Sequence, residues 1–585
     1  MRPLVKTAIQ NIIATAVADV LRDGNADIEL PSLDIERTRD PRHGHFSCNV
    51  AMRLAKALGK PPRDIAAEIV AALPDSEMVA STDVAGPGFI NFTLTDKAFH
   101  AALLTMLELQ DKYGHSEIGA NNKLLLEYVS ANPTGPLHVG HGRHAAYGAC
   151  LANLLSATGH DVHKEYYVND AGRQMDILAL SVWLRFLELK GHSFEFPTAA
   201  YQGAYIKDIA AELSKQAALS TDLPAGLFAD LPQGDDAKDA LLDMLIERAK
   251  IALGDQGFAT VLQAGLQSIL DDIRDDLAEF GVNFDEWFSE NSLTSGGAVQ
   301  RALDLLAKNG VTYEKNGAIW FRATDYGDEK DRVVVRDNGR TTYFASDIAY
   351  HLHKRERGYD ELVNVWGADH HGYIPRVRAG LEAMGDTADC LHVELVQFVA
   401  LYKGGKKAQM STRSGEFVTL RELRKEVGND AARLFFVMRA NEQHLDFDLD
   451  LAKSSSNDNP VYYLQYAHAR VCSVMRQLEE RGYEWDSAEA EASLGLLTED
   501  HERSLMLLLT RFPEIVEAAA LQHAPQHIVF YLKELAGEFH AYYNAHKFIV
   551  DDGALRNARL MLVLATRQIM RNGLSLLGVS APEHM

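Results

Sequence analysis

The sequence predicts an α/β protein with a split, doubly wound parallel sheet at its centre, an α/β domain before it and an all-helical domain after it. Residues 122–170 and 361–400 each contain two short apolar runs separated by a helical pattern, which is typical of a βαβ unit. A long, mostly helical stretch lies between these two units. From Pro460 to the end the pattern is helical throughout.

Composition bounds the class of protein. A chain of 585 residues, 47% hydrophobic and 24% charged, predicts three or four globular domains with ample cores. No apolar run is long enough to span a bilayer and no signal peptide is evident, so we expect no membrane and a cytoplasmic protein. The widely spaced cysteines argue against a zinc ribbon and for a reducing compartment; they are Cys48, Cys150, Cys390 and Cys472.

The net charge of −24 would repel a polyanion at long range. Composition alone therefore disfavours nucleic acid as a partner. Any nucleic acid must meet a locally basic or neutral face.

The first βαβ unit consists of "KLLLEYVS" as a buried strand, "HGRHAAYGACLANLLSATG" as a helix ending at Gly159, and "DVHKEYYVND" as the returning strand. The second consists of "ELVNVWGADHHG", a helix ending at Gly385, and "LHVELVQFVA". Upstream, "AGPGFINFTLT" predicts a hairpin edge. In the tail, Asn459 can cap a helix that begins at Pro460.

These patterns predict five segments. They are an N-terminal domain at 1–110, the first half of the central domain at 120–200, a largely helical insertion at 201–330, the second half at 331–455 and a helical domain at 456–585. An acidic, poorly periodic part of the insertion, 219–240, is predicted to be a surface excursion.

The corner "ANPTGPLHVGH" carries the chemistry. The carboxyl edge of a parallel sheet binds nucleotides, and unpaired N–H groups at a helix start favour phosphate. Gly140 lets the backbone approach closely, while His138 and His141 can donate to phosphate oxygens as negative charge develops. We interpret the corner as an ATP site. A metal alternative exists, because His144 continues the spacing and "DHH" follows at 369–371, but the HExxH zinc pattern is absent.

The surrounding residues sharpen this interpretation. "EYVSANPTGPLHVGHGR" resembles the HIGH-type signature of class I aminoacyl-tRNA synthetases, and "EYYVNDAGRQM" after it makes the form similar to arginyl-tRNA synthetases. "HGHFSCNVAMRLA" and "GPGFINF" resemble that family's added N-terminal domain, which contacts the tRNA elbow. "TTYFASDIAYHLHK", "WGADHHGY", "GGKKAQMSTRSGEFVTL" and "NDAARLFFVMR" follow in the family's order, and the tail resembles its DALR-type anticodon-binding helices.

The resemblance implies a Rossmann-like catalytic domain that ligates L-arginine to its cognate tRNA. ATP, with Mg²⁺, would form arginyl-adenylate, and the arginyl group would then pass to the 3′-terminal ribose of the arginine tRNA. The resemblance also implies a monomer, no structural metal, and adenylation that requires tRNA. Because a pocket for guanidinium rejects lysine and citrulline by binding alone, we expect no editing domain.

The resemblance also implies site residues. The HIGH-like motif comprises Ala131, Asn132, Pro133, Thr134, Gly135, Pro136, Leu137, His138, Val139, Gly140 and His141. The catalytic residues are His138, His141, Ser411 and Arg413, and the ATP-binding residues are His138, Gly140, His141, Gly367, Asp369, His370, Met410 and Ser411. The arginine-binding residues are Glu127, Ser130, Asn132, His138, Tyr343 and Asp347.

A guanidinium needs at least one carboxylate within bidentate reach. Tyr343 and Asp347 are four residues apart, which places them on one helical face, and Glu127 leads into the corner. Without the resemblance, Asp347 would be assigned as a helix cap or a surface acid.

The loop "GGKKAQMSTRSG" resembles the KMSKS signature but departs from it. Met410 and Ser411 match, whereas Gln409 and Thr412 stand in place of the two lysines. Lys406, Lys407 or Arg413 could substitute, and the sequence does not decide among them. The alternative is a solvated basic loop.

Contacts with the anticodon are predicted in the tail, where aromatic residues that can stack on bases interleave with lysines that can bind phosphates. The candidates are Tyr463, Tyr542, Tyr543, Asn544 and Lys547. A buried aromatic stripe is an equal alternative for Phe539 and Tyr542.

Three rival functions remain. They are a small-molecule nucleotidylyltransferase, a DHH phosphoesterase, and a catalytically weak synthetase-like tRNA-binding protein.

Overall fold

The N-terminal part of the chain is an antiparallel sheet packed with helices. The computed structural model describes residues 4–23, 31–38, 40–216, 219–408 and 418–585. The first elements are α1 (Val5–Asp23), β1 (Ile35–Arg37), β2 (Phe46–Cys48), α2 (Val50–Leu58), α3 (Pro62–Ala71), β3 (Val79–Ala85), β4 (Phe89–Leu94) and α4 (Asp96–Leu109). The strand order is β1-β2-β4-β3. The predicted hairpin is confirmed, because Ala85 pairs with Phe89.

The centre of the molecule is a five-stranded parallel sheet. The first half of this central region comprises β5 (Lys123–Glu127), α5 (Val139–Ala157), β6 (Asp161–Val168), α6 (Arg173–Leu189), α7 (Ala204–Gln216), α8 (Lys238–Glu279), β7 (Glu286–Ser289), α9 (Glu290–Ser295) and α10 (Ala298–Lys308). Helix α8 is kinked at Gly254. The second half of the central region comprises β8 (Thr312–Lys315), β9 (Ala318–Phe321), β10 (Arg332–Val335), α11 (Tyr343–Glu356), β11 (Glu361–Gly367), α12 (Ile374–Ala383) and β12 (Leu391–Val396).

The central sheet has the order β12-β11-β5-β6-β7, and β10-β9-β8 form a separate antiparallel sheet. Both predicted βαβ units are confirmed, because β5 pairs parallel with β6 and β11 pairs parallel with β12. Segment 201–330, predicted to be largely helical, contains strands as well as helices. It contributes β7 to the edge of the central sheet, where a strand of four residues is too short to show a period.

The polypeptide then forms a small sheet and turns back to the first half. The elements are β13 (Val399–Lys403), β14 (Lys406–Lys407), α13 (Leu420–Val427), α14 (Asn429–Val437), β15 (Leu445–Asp448) and α15 (Leu449–Lys453), with the strand order β14-β13-β15. The N–H of Val139 donates to the carbonyl of Val418 (3.2 Å), and that of Leu420 donates to Leu137 (2.8 Å). These bonds join the start of α13 to the corner that precedes α5.

The tail is all helical, as predicted. It contains α16 (Pro460–Glu480), α17 (Ser487–Ala492), α18 (Asp500–Leu509), α19 (Phe512–Leu521), α20 (Gln526–Ala545) and α21 (Gly553–Leu576). Asn459 caps α16 through a bond from the Val461 N–H (3.1 Å). No helix in the described ranges combines the length and the apolar character that crossing a bilayer requires.

Helix α5 is held by both its own domain and the tail. The buried Arg143 guanidinium donates to the carbonyls of Gln397 (2.8 Å), Gln443 (2.7 Å) and Ala440 (2.9 Å). One turn later, the Tyr147 hydroxyl donates to the carbonyl of His523 in the tail (2.8 Å). The position of the α5 N-terminus therefore depends on contacts made along the whole helix.

Candidate active site

A cavity of about 550 Å³ opens where the central strands end. Four of the five strands of the central sheet contribute residues at their carboxyl ends, which is the edge where open α/β sheets bind ligands. The N-terminus of α5 forms one wall and α11 another. The lining residues include Glu127, Ser130, Ala131, Asn132, His138, Gly140, His141, His144, Tyr167, Asn169, Asp347, Tyr350, His351, Trp366, Gly367, Asp369, His370, Gln397 and Phe398.

His138 and His141 stack at the first turn of α5, with ring centroids 3.5 Å apart. The His141 N–H donates to Nδ1 of His138, and the His138 N–H donates to Nδ1 of His141, each over 3.3 Å. Since Nδ1 accepts in both rings, the proton of each neutral ring is on Nε2. Burial lowers the pKa of both imidazoles, with the neighbouring histidines adding to the effect at His141. The pair therefore presents neutral N–H donors beside a helix N-terminus.

Two glycines on the cavity wall leave room that a side chain would fill. A Cβ on Gly140 would lie 2.9 Å from Cε1 of His138. A Cβ on Gly367, at the end of β11, would lie 2.5 Å from Oδ1 of Asp369. Both distances are shorter than real Cβ contacts, so these two side chains occupy their places only because glycine is present.

The loop that leaves β5 is strained. Val129 and Ser130 have φ values of 69° and 41°, a region that residues with a Cβ rarely adopt. In this conformation the Ser130 hydroxyl donates to Oε1 of Glu127 (3.0 Å) and accepts from the N–H of Tyr167 (3.1 Å). Strain of this kind clusters at functional sites, and here it fixes the cavity floor between β5 and β6.

Glu127 lies in the cavity, but its carboxylate is already paired. Its Oε2 lies 2.6 Å from Nζ of Lys354, whose side chain is fully buried. Burial raises the pKa of Glu127, and Lys354 and Ser130 more than offset this, so that the pKa ends below its usual value. Lys354 and Ser130 thus contact both carboxylate oxygens of Glu127, and arginine binding by Glu127 stays a prediction.

A row of polar side chains crosses the sheet beneath α11. Adjacent strands pair Asn364 with Glu127, Glu127 with Glu165, and Glu165 with Glu286. Arg357, one turn after Lys354, donates to Glu165 (2.5 Å) and to Glu286 (2.6 Å). Helix α11 thus supplies two cations to the three acids of this row.

Asp347 remains without such a partner. Its carboxylate forms no hydrogen bond or ion pair with any residue in the described part of the chain. Burial, and then the charges of Glu290 and Glu127, raise the pKa of Asp347 to about 7. Glu290, at the start of α9, is also buried, and burial raises its pKa while a bond from Tyr167 opposes the rise. A cation is the group that this pair of acids lacks.

The remaining predicted residues are distributed unevenly. Ala131, Asn132, Asp369 and His370 line the cavity, and the side chains of Asp369 and His370 are more than half exposed at its rim. Tyr343 is 60% exposed at the start of α11 and is not among the lining residues. Of the two, only Asp347 lines the cavity, and arginine binding by Tyr343 stays a prediction.

The KMSKS-like predictions fall on residues 409–417. Met410, Ser411 and Arg413 lie outside the described residues. The segment is entered from β14, where Lys406 and Lys407 are exposed, and it leads to Thr419, which forms a β-bridge with His138. The chain thus returns from this segment directly to the histidine corner.

Sequence reasoning missed several residues of the cavity. Tyr167, Gln397 and Phe398 come from loops and strand ends that meet only in the folded chain, and Glu290 at the start of α9 acts on Asp347 through its charge. Lys354 had a detectable signal, since Asp347, Tyr350, His351 and Lys354 are spaced to lie along one face of α11.

In the tail, one predicted tRNA contact is wrong. Tyr542 is fully buried, and its hydroxyl donates to Glu502 (3.0 Å), so it cannot stack on a base. Asn544 and Lys547 are exposed, and Tyr463 and Tyr543 are half-buried. The guanidinium of Arg470 lies 4.4 Å from the Tyr543 ring centroid. This surface keeps the interleaved aromatic and basic character that was predicted.

One group of side chains has metal-ligand character among the described residues, namely His163, Glu165 and Glu286. The Arg357 guanidinium already bonds both carboxylates. A cation of the protein itself thus occupies this position, and the group lies away from the cavity.

Comparisons with known proteins agree with this architecture. The model for the class I (R) tRNA synthetase catalytic domain matches residues 103–448, the arginyl-tRNA synthetase N-terminal domain matches 6–94, and the DALR anticodon-binding domain matches 464–585. The arginine–tRNA ligase of Thioalkalivibrio sulfidiphilus is 58% identical over 587 residues, covering 99% of this chain and 100% of that protein. The enzyme of Coxiella burnetii is 52% identical over 589 residues, covering 99% of each.

The solved structure of Thermus thermophilus arginyl-tRNA synthetase has the same fold, with a TM-score of 0.71 at 24% identity, covering 99% of this chain and 100% of that one. With the match to the catalytic-domain model and a relative of such identity over the full length, the chain belongs to the arginyl-tRNA synthetases of class I.

Proposed function

We propose that the cavity at the sheet edge carries out both steps of arginine–tRNA ligation, the activity of the family to which the chain belongs. The observation that carries the proposal is the placement of Asp347, a half-buried acid without a counter-ion among the described residues, in the same cavity as the neutral donors of His138 and His141. The acid suits the guanidinium, and the histidine corner suits the triphosphate of ATP, which enters as its Mg²⁺ complex.

In the first step the arginine carboxylate attacks the α-phosphorus of ATP and pyrophosphate leaves. Asp347, supported by Glu290, holds the guanidinium, and Ser130 and Asn132 line the floor near the α-amino group. The Nε2–H donors of His138 and His141, with the N-terminus of α5, stabilise the charge that develops on phosphate oxygens. No nucleophilic side chain is required, since positioning and charge stabilisation drive such chemistry.

The cavity itself brings little positive charge to the leaving pyrophosphate. Burial lowers the pKa of His138, His141 and His144, and the pKa of His144 falls to about 4. These rings are therefore neutral at pH 7. We assign the missing charge to the segment entered at Lys406 and Lys407, with Arg413 as a further candidate.

In the second step the terminal ribose hydroxyl of the arginine tRNA attacks the activated carbonyl. The tail would hold the anticodon on the surface around Tyr463, Tyr543 and Lys547, although the net charge is −24. We propose a monomer that acts in the cytoplasm.

The experiment is a charging assay with ATP, unfractionated tRNA and each amino acid in turn. Arginine alone should be esterified to tRNA. ATP–pyrophosphate exchange with arginine should require tRNA. A tRNA-binding protein without catalysis would bind tRNA and charge nothing, and a small-molecule nucleotidylyltransferase would release pyrophosphate without tRNA and without amino-acid selectivity.

A further inference from the structure

We infer that Lys354 is a specificity-determining positioning residue: as the internal counter-ion of Glu127, it leaves Asp347 and Glu290 as the acids that select a singly charged guanidinium. The inference rests on the proposed function. It differs from the sequence-based assignment, in which Glu127 itself contacts the substrate cation.

The ammonium of Lys354 makes all its contacts inside the protein and is not available to bind substrate. Its side chain is 0% exposed. Nζ donates to Oε2 of Glu127 (2.6 Å) and to Oδ1 of Asn364 (3.0 Å). It also lies 4.2 Å from the ring centroid of Tyr350, as a cation–π contact. A buried ammonium with these three partners is fully satisfied and immobile.

Lys354 is also connected to Asp347 through hydrogen bonds of two intermediate side chains. The same Asn364 amide donates through Nδ2 to Nε2 of His351 (2.9 Å), and Nδ1–H of His351 donates to the carbonyl of Asp347 (2.8 Å). Burial, with the charge of Lys354 next, lowers the pKa of His351 to about 4, so this ring is neutral. This series of hydrogen bonds, Glu127–Lys354–Asn364–His351, therefore ends at the backbone of Asp347. Asp347 lies on the same helix as Lys354, two turns before it.

The charge balance gives the ammonium its effect on specificity. The groups around Asp347 are Glu127 from β5, Tyr167 from β6, Glu290 from α9 and His351 from α11 itself, and Lys354 acts on His351 and Glu127. Asp369 and His370 lie across the cavity at its rim. With Lys354 in place, the charge of Glu127 is largely balanced, and most of the attraction for a cation comes from Asp347 and Glu290.

The test is a double-mutant cycle read with two ligands of equal shape, arginine and the uncharged citrulline. In full-length Glu127→Gln the ammonium loses its counter-ion and repels the guanidinium. We expect KM for arginine to rise about thirty-fold, the order of effect that one uncompensated buried charge has on a ligand of like charge. The Ki of citrulline against charging should change less than about threefold, because a neutral ligand does not feel that charge.

The double variant Glu127→Gln/Lys354→Met distinguishes an indirect role of Glu127 from a direct contact with arginine. It removes both charges and should return the ratio of citrulline Ki to arginine KM to within about threefold of the wild-type value. If Glu127 were a direct ligand, the double variant would stay as weak for arginine as Glu127→Gln. That result, or a single-variant ratio equal to wild type with only kcat and Tm lowered, would overturn the inference.

Folding and function are controlled separately. Lys354→Met alone buries an unpaired carboxylate and can fail to fold. The test does not need this variant, because Glu127→Gln and the charge-neutral double variant already distinguish an indirect from a direct role of Glu127. Circular dichroism melts of each protein verify folding. Absence of arginine charging by the wild-type protein would refute the proposed function itself, before Lys354 is tested.

Discussion

The stacked rings of His138 and His141 each accept the backbone N–H of the other residue through Nδ1. This reciprocal capping box fixes both rings at the first turn of α5 and leaves the proton of each on Nε2. A motif that reads as two histidines around Val-Gly is thus one rigid unit. The spacing of three residues is the spacing that a capping box requires.

His138→Ala or His141→Ala should each lower the rate of adenylate formation by about 10²–10³, the usual effect of one lost transition-state donor. Single-turnover formation of arginyl-adenylate with tRNA present measures this step. His371→Ala is a matched control, because His371 is exposed and is not among the residues that line the cavity. A loss below about threefold in either test variant would remove that histidine from the chemistry.

Gly140→Ala should impair the same step without harming the fold. The added methyl group would lie within 3.0 Å of the His138 ring and must displace it. Alanine is a better helix former than glycine by about 1 kcal/mol, so Tm should stay constant or rise. Gly372→Ala, where no atom lies within 4 Å, should leave the adenylation rate unchanged. Equal rates for the two variants would show that the ring position is unimportant.

Binding of arginine should depend on pH through Asp347. Its pKa is raised to about 7, first by burial and then by Glu290 and Glu127. Because the guanidinium pairs with the ionised carboxylate, KM for arginine should be constant above pH 7 and rise about tenfold per unit below it. The ATP KM over the same range is the control. A flat arginine profile between pH 5.5 and 8.5 would separate Asp347 from binding.

Asp347→Asn should weaken arginine binding by about 3 kcal/mol, or roughly 100-fold in KM, and should also stabilise the free protein. The folded pKa is above the ordinary value of 3.8, so the stability that this group contributes is fully present below pH 3.8 and is lost as pH rises through 7. Urea unfolding should therefore find the variant more stable than wild type at pH 8 and equal to it near pH 4. Lower stability at pH 8 would mean that the carboxylate has a stabilising partner.

Much of the fold follows from local pattern. The two βαβ units, the hairpin at Ala85–Phe89 and the helical tail are long or strongly patterned, and their outlines agree with the structure. Strand β7 was not predicted, because four residues carry no measurable period and its place at the sheet edge is set by pairing with β6. Local pattern describes elements, whereas sheet order depends on contacts far apart in sequence.

The site was predictable where the chain is locally constrained. The histidine corner is contiguous, and Asp347 is separated from Lys354 by two turns of one helix. The pairing of Glu127 with Lys354 joins residues 227 positions apart, so the sequence showed Glu127 as an acid without showing that its charge is taken. The prediction that Tyr542 contacts tRNA was wrong for a similar reason, because its hydrogen-bond partner Glu502 lies on another helix.

The tail supports a final prediction about tRNA, which substitutions test better than truncation. Removing residues 456–585 would expose α5, since Tyr147 bonds to His523 and Cys150 to the carbonyl of Leu577. On the exposed surface, Lys547→Ala should raise KM for tRNA about three- to tenfold through one lost phosphate contact, increasingly so at low salt. The KM for arginine should not change.

Tyr542→Phe is the internal comparison. It removes the hydroxyl that bonds Glu502 inside the helical domain and should lower the free energy of unfolding by about 1 kcal/mol while the tRNA KM stays constant. Charging kinetics at two salt concentrations, with thermal melts, resolve the two effects. If Tyr542→Phe raised the tRNA KM more than Lys547→Ala, the surface around Lys547 would not be where tRNA is held. The buried face of α20 would then have to open for tRNA to bind.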